Sequence, residues 1–241
     1  MEVQPGTLYL VATPIGNLAD ITDRARLTLA GVSRVACEDT RHSGILLQHL
    51  GLRKPLVSIH EHNEATRSAE MVEALLSGES VAYISDAGMP GVSDPGQRLV
   101  NACRRANLRV EVIPGPSAVL TALIGSGFPA DAFMFGGFLP VKSGQRERAL
   151  TAAIARPETT VFFESPHRID GTLELLARIA PDQLICVARE LTKKFEEFRR
   201  GTASAIHDHY RKHPAKGEIC LVLAGSDLPK WAAWNGATPT P

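Results

Sequence analysis

Short apolar runs alternate with amphipathic stretches along most of the chain. Thr7 to Ala12, T-L-Y-L-V-A, is continuously apolar, as a strand covered on both faces requires, and it ends in the loop signal Thr13-Pro14-Ile15-Gly16-Asn17. The same order of apolar run, then ligand-like loop or cap, recurs. Asp20 or Thr22 is placed to cap a helix running to Ala30, with Gly31 as its stop. Ser33 to Cys37 reads as a second strand, ending in Glu38-Asp39-Thr40-Arg41, and Thr40 is the expected cap of a helix that Gly51 terminates. Leu56 to Ile59 is a short third strand. After it Asn63 is expected to cap a helix whose buried face carries Ala65, Ala69, Val72 and Leu76, at the spacing of one helical stripe.

The fourth run, Val81 to Ile84, opens into S-D-A-G-M-P-G-V-S-D-P-G, a loop of glycines and prolines that precedes a helix from Pro95 to Ala106. Glycine admits close approach of a ligand to the backbone, and Asp86 puts a carboxylate where open α/β sheets bind ligands. The loop matches neither common nucleotide fingerprint, so by itself it indicates a binding site for a small charged or nucleotide-like ligand and no more. Arg109 to Ile113 is a fifth strand; five strands joined by helices predict a mostly parallel sheet.

Pro114-Gly115-Pro116-Ser117 breaks the rhythm, and the domain boundary is placed there: an α/β domain over residues 1–114, a second over 115–228 and a weakly ordered tail over 229–241 that holds Trp231 and Trp234. In the second domain Ser117 is the expected cap of an apolar helix ending at Gly125. Ala132 to Phe135 reads as a strand before a Gly136-Gly137-Phe138-Leu139-Pro140 loop, and a polar helix runs from Gln145 to Ala155. Thr159 to Phe163 and Leu184 to Ala188 are strands flanking a helix with Ile169, Leu173, Leu176 and Ile179 on one face. Phe195 to Arg200 fits either element and is read as a strand, before a capped helix to His213 and a last strand, Ile219 to Ala224.

Composition narrows the function less than the loops do. With 26 basic and 26 acidic residues among 241 and a mean hydropathy of -0.03, no global field favours nucleic acid or a membrane, so any RNA contact has to use a local patch. Cys37, Cys103, Cys186 and Cys220 lie far apart without metal spacing, and are read as reduced core thiols of a cytoplasmic protein. No basic leader and no membrane-length apolar run is present, so neither export nor membrane insertion is expected. His60 and His62, with Glu61 and Glu64 beside them, lack a third ligand at usable spacing, and no metal is expected; the stretch reads as a substrate-facing loop.

Taken in order, T-P-I-G-N, E-D-T-R, the Ser85 to Gly96 loop, P-G-P-S-A, G-F-L-P, E-S-P-H-R and K-G-E resemble the tetrapyrrole methylase family, from Gly6 to about Gly225. Within it they resemble the group that methylates the ribose 2′-hydroxyl of a cytidine in the decoding region of 16S ribosomal RNA. The resemblance implies two α/β domains, with a mostly parallel N-terminal sheet, a mixed C-terminal sheet and S-adenosyl-L-methionine in the cleft between them. It implies a homodimer acting on the small ribosomal subunit. It also implies cofactor contacts from Pro14, Asp86, Ala87, Gly88, Met89, Pro90, Ser117, Ala118, Phe135, Gly136, Gly137, Ala188, Gly217 and Glu218. The helical extension that many members of that group carry past the last strand is expected to be missing. His60, His62, Glu38 and Asp39 are left open as acceptors of the hydroxyl proton, histidine's usual pKa of roughly 6.5 suiting that task. Arg41, Lys142 and Arg168 are the candidates for RNA phosphates. A small tetrapyrrole acceptor and a non-catalytic nucleotide-binding module are the competing readings.

Overall fold

The computed structural model describes residues 2–60 and 62–227 and divides into two compact units, Met1–Ser117 and the chain from Ala118 onward. The expected tail and its tryptophans lie outside the described residues.

The first unit is a five-stranded, wholly parallel sheet in the order β3-β2-β4-β1-β5. Its strands are β1 (Thr7–Val11), β2 (Arg34–Cys37), β3 (Leu56–Ser58), β4 (Val81–Ile84) and β5 (Arg109–Ile113). Between them run α1 (Asp23–Gly31), α2 (Thr40–His49), α3 (Glu64–Leu76) and α4 (Gln97–Arg105). β1 and β4 are buried along their whole length because helices cover both faces, which is why their sequences are unbroken apolar runs. Tyr9, Val11, Leu29, Val35 and Ile84 fill one face, and Leu8, Tyr83, Met71, Leu75 and Leu99 the other.

Three local expectations change. Asp39, not Thr40, caps α2: its carboxylate accepts from the Arg41 N–H at 2.8 Å, and Thr40 is already helical. Asn63 stands at the start of α3 without capping it, since its Oδ1 accepts from the His60 N–H and its Nδ2 donates to the Ser58 carbonyl. The buried stripe of α3 is Glu64, Ser68, Met71 and Leu75, one residue away from the expected one, and Leu76 is exposed. The reason is a long-range bond. Glu64 Oε1 accepts from the N–H groups of Gly96 (2.8 Å) and Arg98 (3.2 Å), so the first turn of α4 is capped by a carboxylate from α3.

The second unit holds a mixed sheet in the order β6-β7-β10-β8-β9, parallel only between its first two members. Its elements are α5 (Ala118–Ser126), β6 (Phe133–Phe138), α6 (Ser143–Ile154), β7 (Thr159–Glu164), α7 (Ile169–Ile179), β8 (Leu184–Arg189), β9 (Glu197–Thr202), α8 (Ala203–Lys212) and β10 (Ile219–Leu223). Leu150, Leu173, Leu176, Val187, Ile206 and Leu221 belong to one core on the α6, α7 and α8 side. The ambiguous segment around Phe198 is a strand, and Thr202 caps the helix after it. Gly136-Gly137-Phe138, expected as loop, continues β6. The pairing with β7 slips between Phe135 and Phe138, Gly137 adopts a φ of 68°, and a side chain at Gly136 would enter the Phe162 ring. Among the described residues no helix is long and apolar enough to cross a membrane.

Gly96 joins the two requirements that shape the α4 entrance. Its φ is 125°, and a Cβ there would collide with the wholly buried Tyr83 ring. Gly96→Ala should therefore lose more than the ~1 kcal/mol of backbone strain alone, about 3 kcal/mol in all, read as a lower urea midpoint at unchanged slope.

Candidate functional site

In the first unit the sheet sends every strand in one direction, so the loops after β1, β2, β3 and β4 leave from one edge. Two of them are stitched together. Thr13 N–H donates to the Gly88 carbonyl at 2.9 Å, Gly88 N–H returns to the Thr13 carbonyl at 3.1 Å, and the Thr13 hydroxyl donates to the Ser85 carbonyl at 3.2 Å. Gly88 makes this possible with a φ of 78°, a conformation that costs a side-chain-bearing residue strain. Pro14, Gly88 and Pro90 are buried, Asp86 and Met89 are partly exposed and Ala87 is exposed. The loop after β2 joins through the Asp39 N–H, which donates to Asp86 Oδ1 at 3.3 Å. The β3 loop joins through Ser58, whose hydroxyl donates to the Glu38 carbonyl at 3.1 Å.

Carboxyl groups crowd this edge. Asp39 is bound by the Arg41 side chain and backbone, which hold its carboxyl down at about 2 and leave it a weak proton acceptor. Glu38 is pushed up by burial and then by the neighbouring charges of Asp86 and Asp39, with His60 acting against the shift. Asp94 is pushed up to about 6, first by burial, then by Glu38, while a hydrogen bond from Ser85 acts the other way. His60 is half-buried and its ring lies 6.0 Å from that of the exposed His62. Among the described residues these groups form no cluster suited to a metal ion. Arg41 is exposed beyond its pairing with Asp39.

The candidates of the second unit fall on different pieces of it. Phe135, Gly136 and Gly137 form the irregular stretch of β6, with Phe135 edge-to-face on Phe163 at 4.9 Å. Ala188 is buried in β8, two residues before a corner built of Glu190, Lys193, Gly217 and Glu218. There Lys193 Nζ bridges Glu190 (2.9 Å) and Glu218 (3.1 Å), and Glu190 and Thr192 are held at positive φ. The Ala118 carbonyl, at the start of α5, accepts a weak bond from Cys220 Sγ at 3.8 Å. Lys142 is exposed at the start of α6. Arg168 does not present a free cation: it pairs with the buried Glu164 at 2.6 Å and donates to the Leu139 carbonyl at 3.1 Å, tying β7 to the loop before α6. Its charge is thus shared with a carboxylate, as that of Arg41 is with Asp39.

Sequence reasoning did not single out Asp94 or Tyr83, and it weighed Glu64 only beside His60 and His62 as a metal ligand. Asp94 had a signal, a second aspartate in the same loop as Asp86. Tyr83 had none, since it resembles an ordinary strand residue until the chain folds.

Comparison with known proteins gives consistent results. The family model described as Tetrapyrrole (Corrin/Porphyrin) Methylases matches residues 7–207. A Mesorhizobium japonicum protein named ribosomal RNA small subunit methyltransferase I is 51% identical over 222 residues, 91% of this chain and 76% of that protein. A Synechocystis protein of the same name is 46% identical, covering 95% of this chain and 84% of the relative. Among solved structures, a cobalt precorrin-4 methyltransferase aligns with a TM-score of 0.67 at 16% identity over 94% of this chain and 95% of its own, a likeness of fold alone.

The Asp94 shift has a sign that can be measured. Its folded pKa of about 6 lies above the ordinary 3.8, so between those values the folded chain holds a proton that the unfolded chain releases. Stability therefore falls as pH rises through that window. Asp94→Asn removes the penalty: denaturation should find it level with the parent near pH 4 and more stable by about 1 to 2 kcal/mol at pH 8, the upper figure reduced by solvent screening.

Proposed function

The chain belongs to the tetrapyrrole (corrin/porphyrin) methylase family, and we propose that it methylates the ribose 2′-hydroxyl of a cytidine in the decoding region of 16S ribosomal RNA. It is a methyltransferase that uses S-adenosyl-L-methionine. The observation that carries the choice of acceptor is the 51% identity, across 91% of the chain, to a relative named as a small-subunit ribosomal RNA methyltransferase. A ribosomal acceptor agrees with a working place in the cytoplasm, and the reading includes a homodimer.

The residues present fit a cationic donor. Glu38, Asp86 and Asp94 supply negative charge at one edge of the first unit. Pro14, Asp86, Ala87, Gly88, Met89, Pro90 and Ser117 of the first unit are proposed to hold it. Ala118, Phe135, Gly136, Gly137, Ala188, Gly217 and Glu218 are the candidates of the second. When bound, the donor supplies a methyl group on positively charged sulfur, already electrophilic. The chain's own task is alignment of the acceptor hydroxyl and removal of its proton. Asp39 is poorly suited to the second step, because Arg41 stabilises its charged form and lowers its affinity for a proton; Glu38, His60 and His62 are the candidates for that role. Exposed Arg41 and Lys142 suit RNA phosphates, which position a substrate without reading its sequence.

Transfer of labelled methyl from S-adenosyl-L-methionine to small subunits from cells lacking the protein tests the reading. Label is expected on one ribose 2′-oxygen of a 16S cytidine; label that reaches only a tetrapyrrole would end it. Arg41→Ala should weaken subunit binding several-fold and lower its salt dependence by about one ion, with donor affinity unchanged.

A further inference from the structure

We propose that a cavity of the second unit, between the start of β9 and the end of α8, is an RNA site in which one unstacked nucleotide of the acceptor lays its base on Phe195. The proposal rests on the reading above that the acceptor is RNA.

The cavity has a volume of about 340 Å³ and is lined by Arg189, Phe195, Glu197, His209, Tyr210 and His213, with Lys216 also on its wall. That is the small end of the ~300–1,000 Å³ range of ligand pockets, suited to a single base. It lies on the face of the sheet opposite to Ala188, because side chains alternate along a strand. Ala188 pairs with Phe198 and with Cys220; the Phe198 ring lies against Gly125 of α5, and Cys220 reaches the Ala118 carbonyl. Arg189 pairs with Glu197, and these turn towards α8: Glu197 accepts from Arg189 Nε at 2.7 Å and from the Tyr210 hydroxyl at 3.2 Å. A ligand in the cavity therefore leaves Ala188 and Ala118 free for the methyl donor.

The lining has the chemistry of a stacking site. Phe195 is 64% exposed and is the one large apolar side chain exposed among residues 189–216. A protein partner buries a patch of several such side chains, whereas a base needs one flat ring with cations around it. Lys194 Nζ lies 5.5 Å from the centre of that ring. Arg189 and Arg199 both donate to Glu197, at 2.7 and 2.8 Å, so two guanidinium groups share one carboxylate and a positive charge is left over. Glu190, also on the cavity wall, is held by Lys193 at 2.9 Å, and Lys216 is exposed. His209 and His213, one turn apart with rings 4.9 Å from each other, offer ring nitrogens to the edge of a base. They do not make a metal site, since among the described residues no third ligand joins them.

The loop that presents Phe195 is fastened at both ends of its turn. Glu190 and Thr192 have φ of 50° and 64°, and the Thr192 N–H donates to Glu196 Oε2 at 2.6 Å. Residues without a glycine's freedom that are held at positive φ cluster at ligand clamps.

Binding of the full chain to small ribosomal subunits tests the proposal. Phe195→Ala should weaken it by about 5- to 150-fold, the loss of one stacked base, at unchanged salt dependence and unchanged affinity for S-adenosyl-L-methionine. Phe195→Tyr should stay within about threefold of the parent and Phe195→Leu should fail as alanine does, because only an aromatic ring has a π-face. Lys216→Ala should instead lower the salt dependence, by about one ion. In imidazole NMR, a short single-stranded RNA of the decoding-region sequence should shift the His209 and His213 resonances, and inorganic phosphate at equal concentration should not. An alanine variant within about twofold of the parent, a leucine variant that binds as well as phenylalanine, or resonances that respond to phosphate alone would each overturn the base site. A parent protein that labels no RNA would end the reading of the reaction, while the cavity would still stand or fall by the RNA titration and the Phe195 series.

Discussion

The reciprocal backbone pair between Thr13 and Gly88 is the constraint on which the candidate site depends. β1 and β4 lie side by side in a parallel sheet, so their loops would leave the same edge and then diverge. Two hydrogen bonds and the Thr13 hydroxyl keep them together. Gly88 can turn its N–H and carbonyl towards Thr13 only by adopting a positive φ. With that turn in place Pro14 and Asp86 belong to one surface, and Asp86 can receive the Asp39 N–H from the loop after β2.

That surface concentrates negative charge, and different parts of the fold manage it differently. Asp39 is neutralised by Arg41 and stays ionised. Glu64 is turned into a structural group, capping α4 from another helix. Glu38 and Asp94 receive no such partner and rise. The contrast follows from the partners each loop supplies. A site that keeps unpaired charge for a cationic ligand gives up stability in its absence.

The second unit solves a different problem. Its sheet is mostly antiparallel, so strands β8 and β10 send their ends to opposite edges, and the corner after β8 needs its own fastening. Lys193, between Glu190 and Glu218, supplies it and holds two non-glycine residues at positive φ. At the other side of the sheet the Gly136-Gly137 irregularity lets β6 continue where the sequence pattern suggests that it stops.

Sequence alone determined the elements and the chemistry class. Continuous apolar runs and glycine, proline and capping signals are local, and they place β1, β4, β5 and β10 and most helices within a residue or two. The order of the short motifs marked a methylase, and the Asp86 loop was expected to be a ligand loop because glycine lets a ligand approach the backbone closely. What the tertiary structure decided were the pairings across long stretches of chain. Periodicity could not tell which stripe of α3 is buried, since alanines offered a second apolar stripe and the true one begins with a glutamate bonded to Gly96. Nor could it tell that Arg168 is consumed by Glu164. The upward shift of Asp94 is of the same kind: it depends on burial and on a carboxylate that follows another strand, and neither is a property of the residues beside it in the chain.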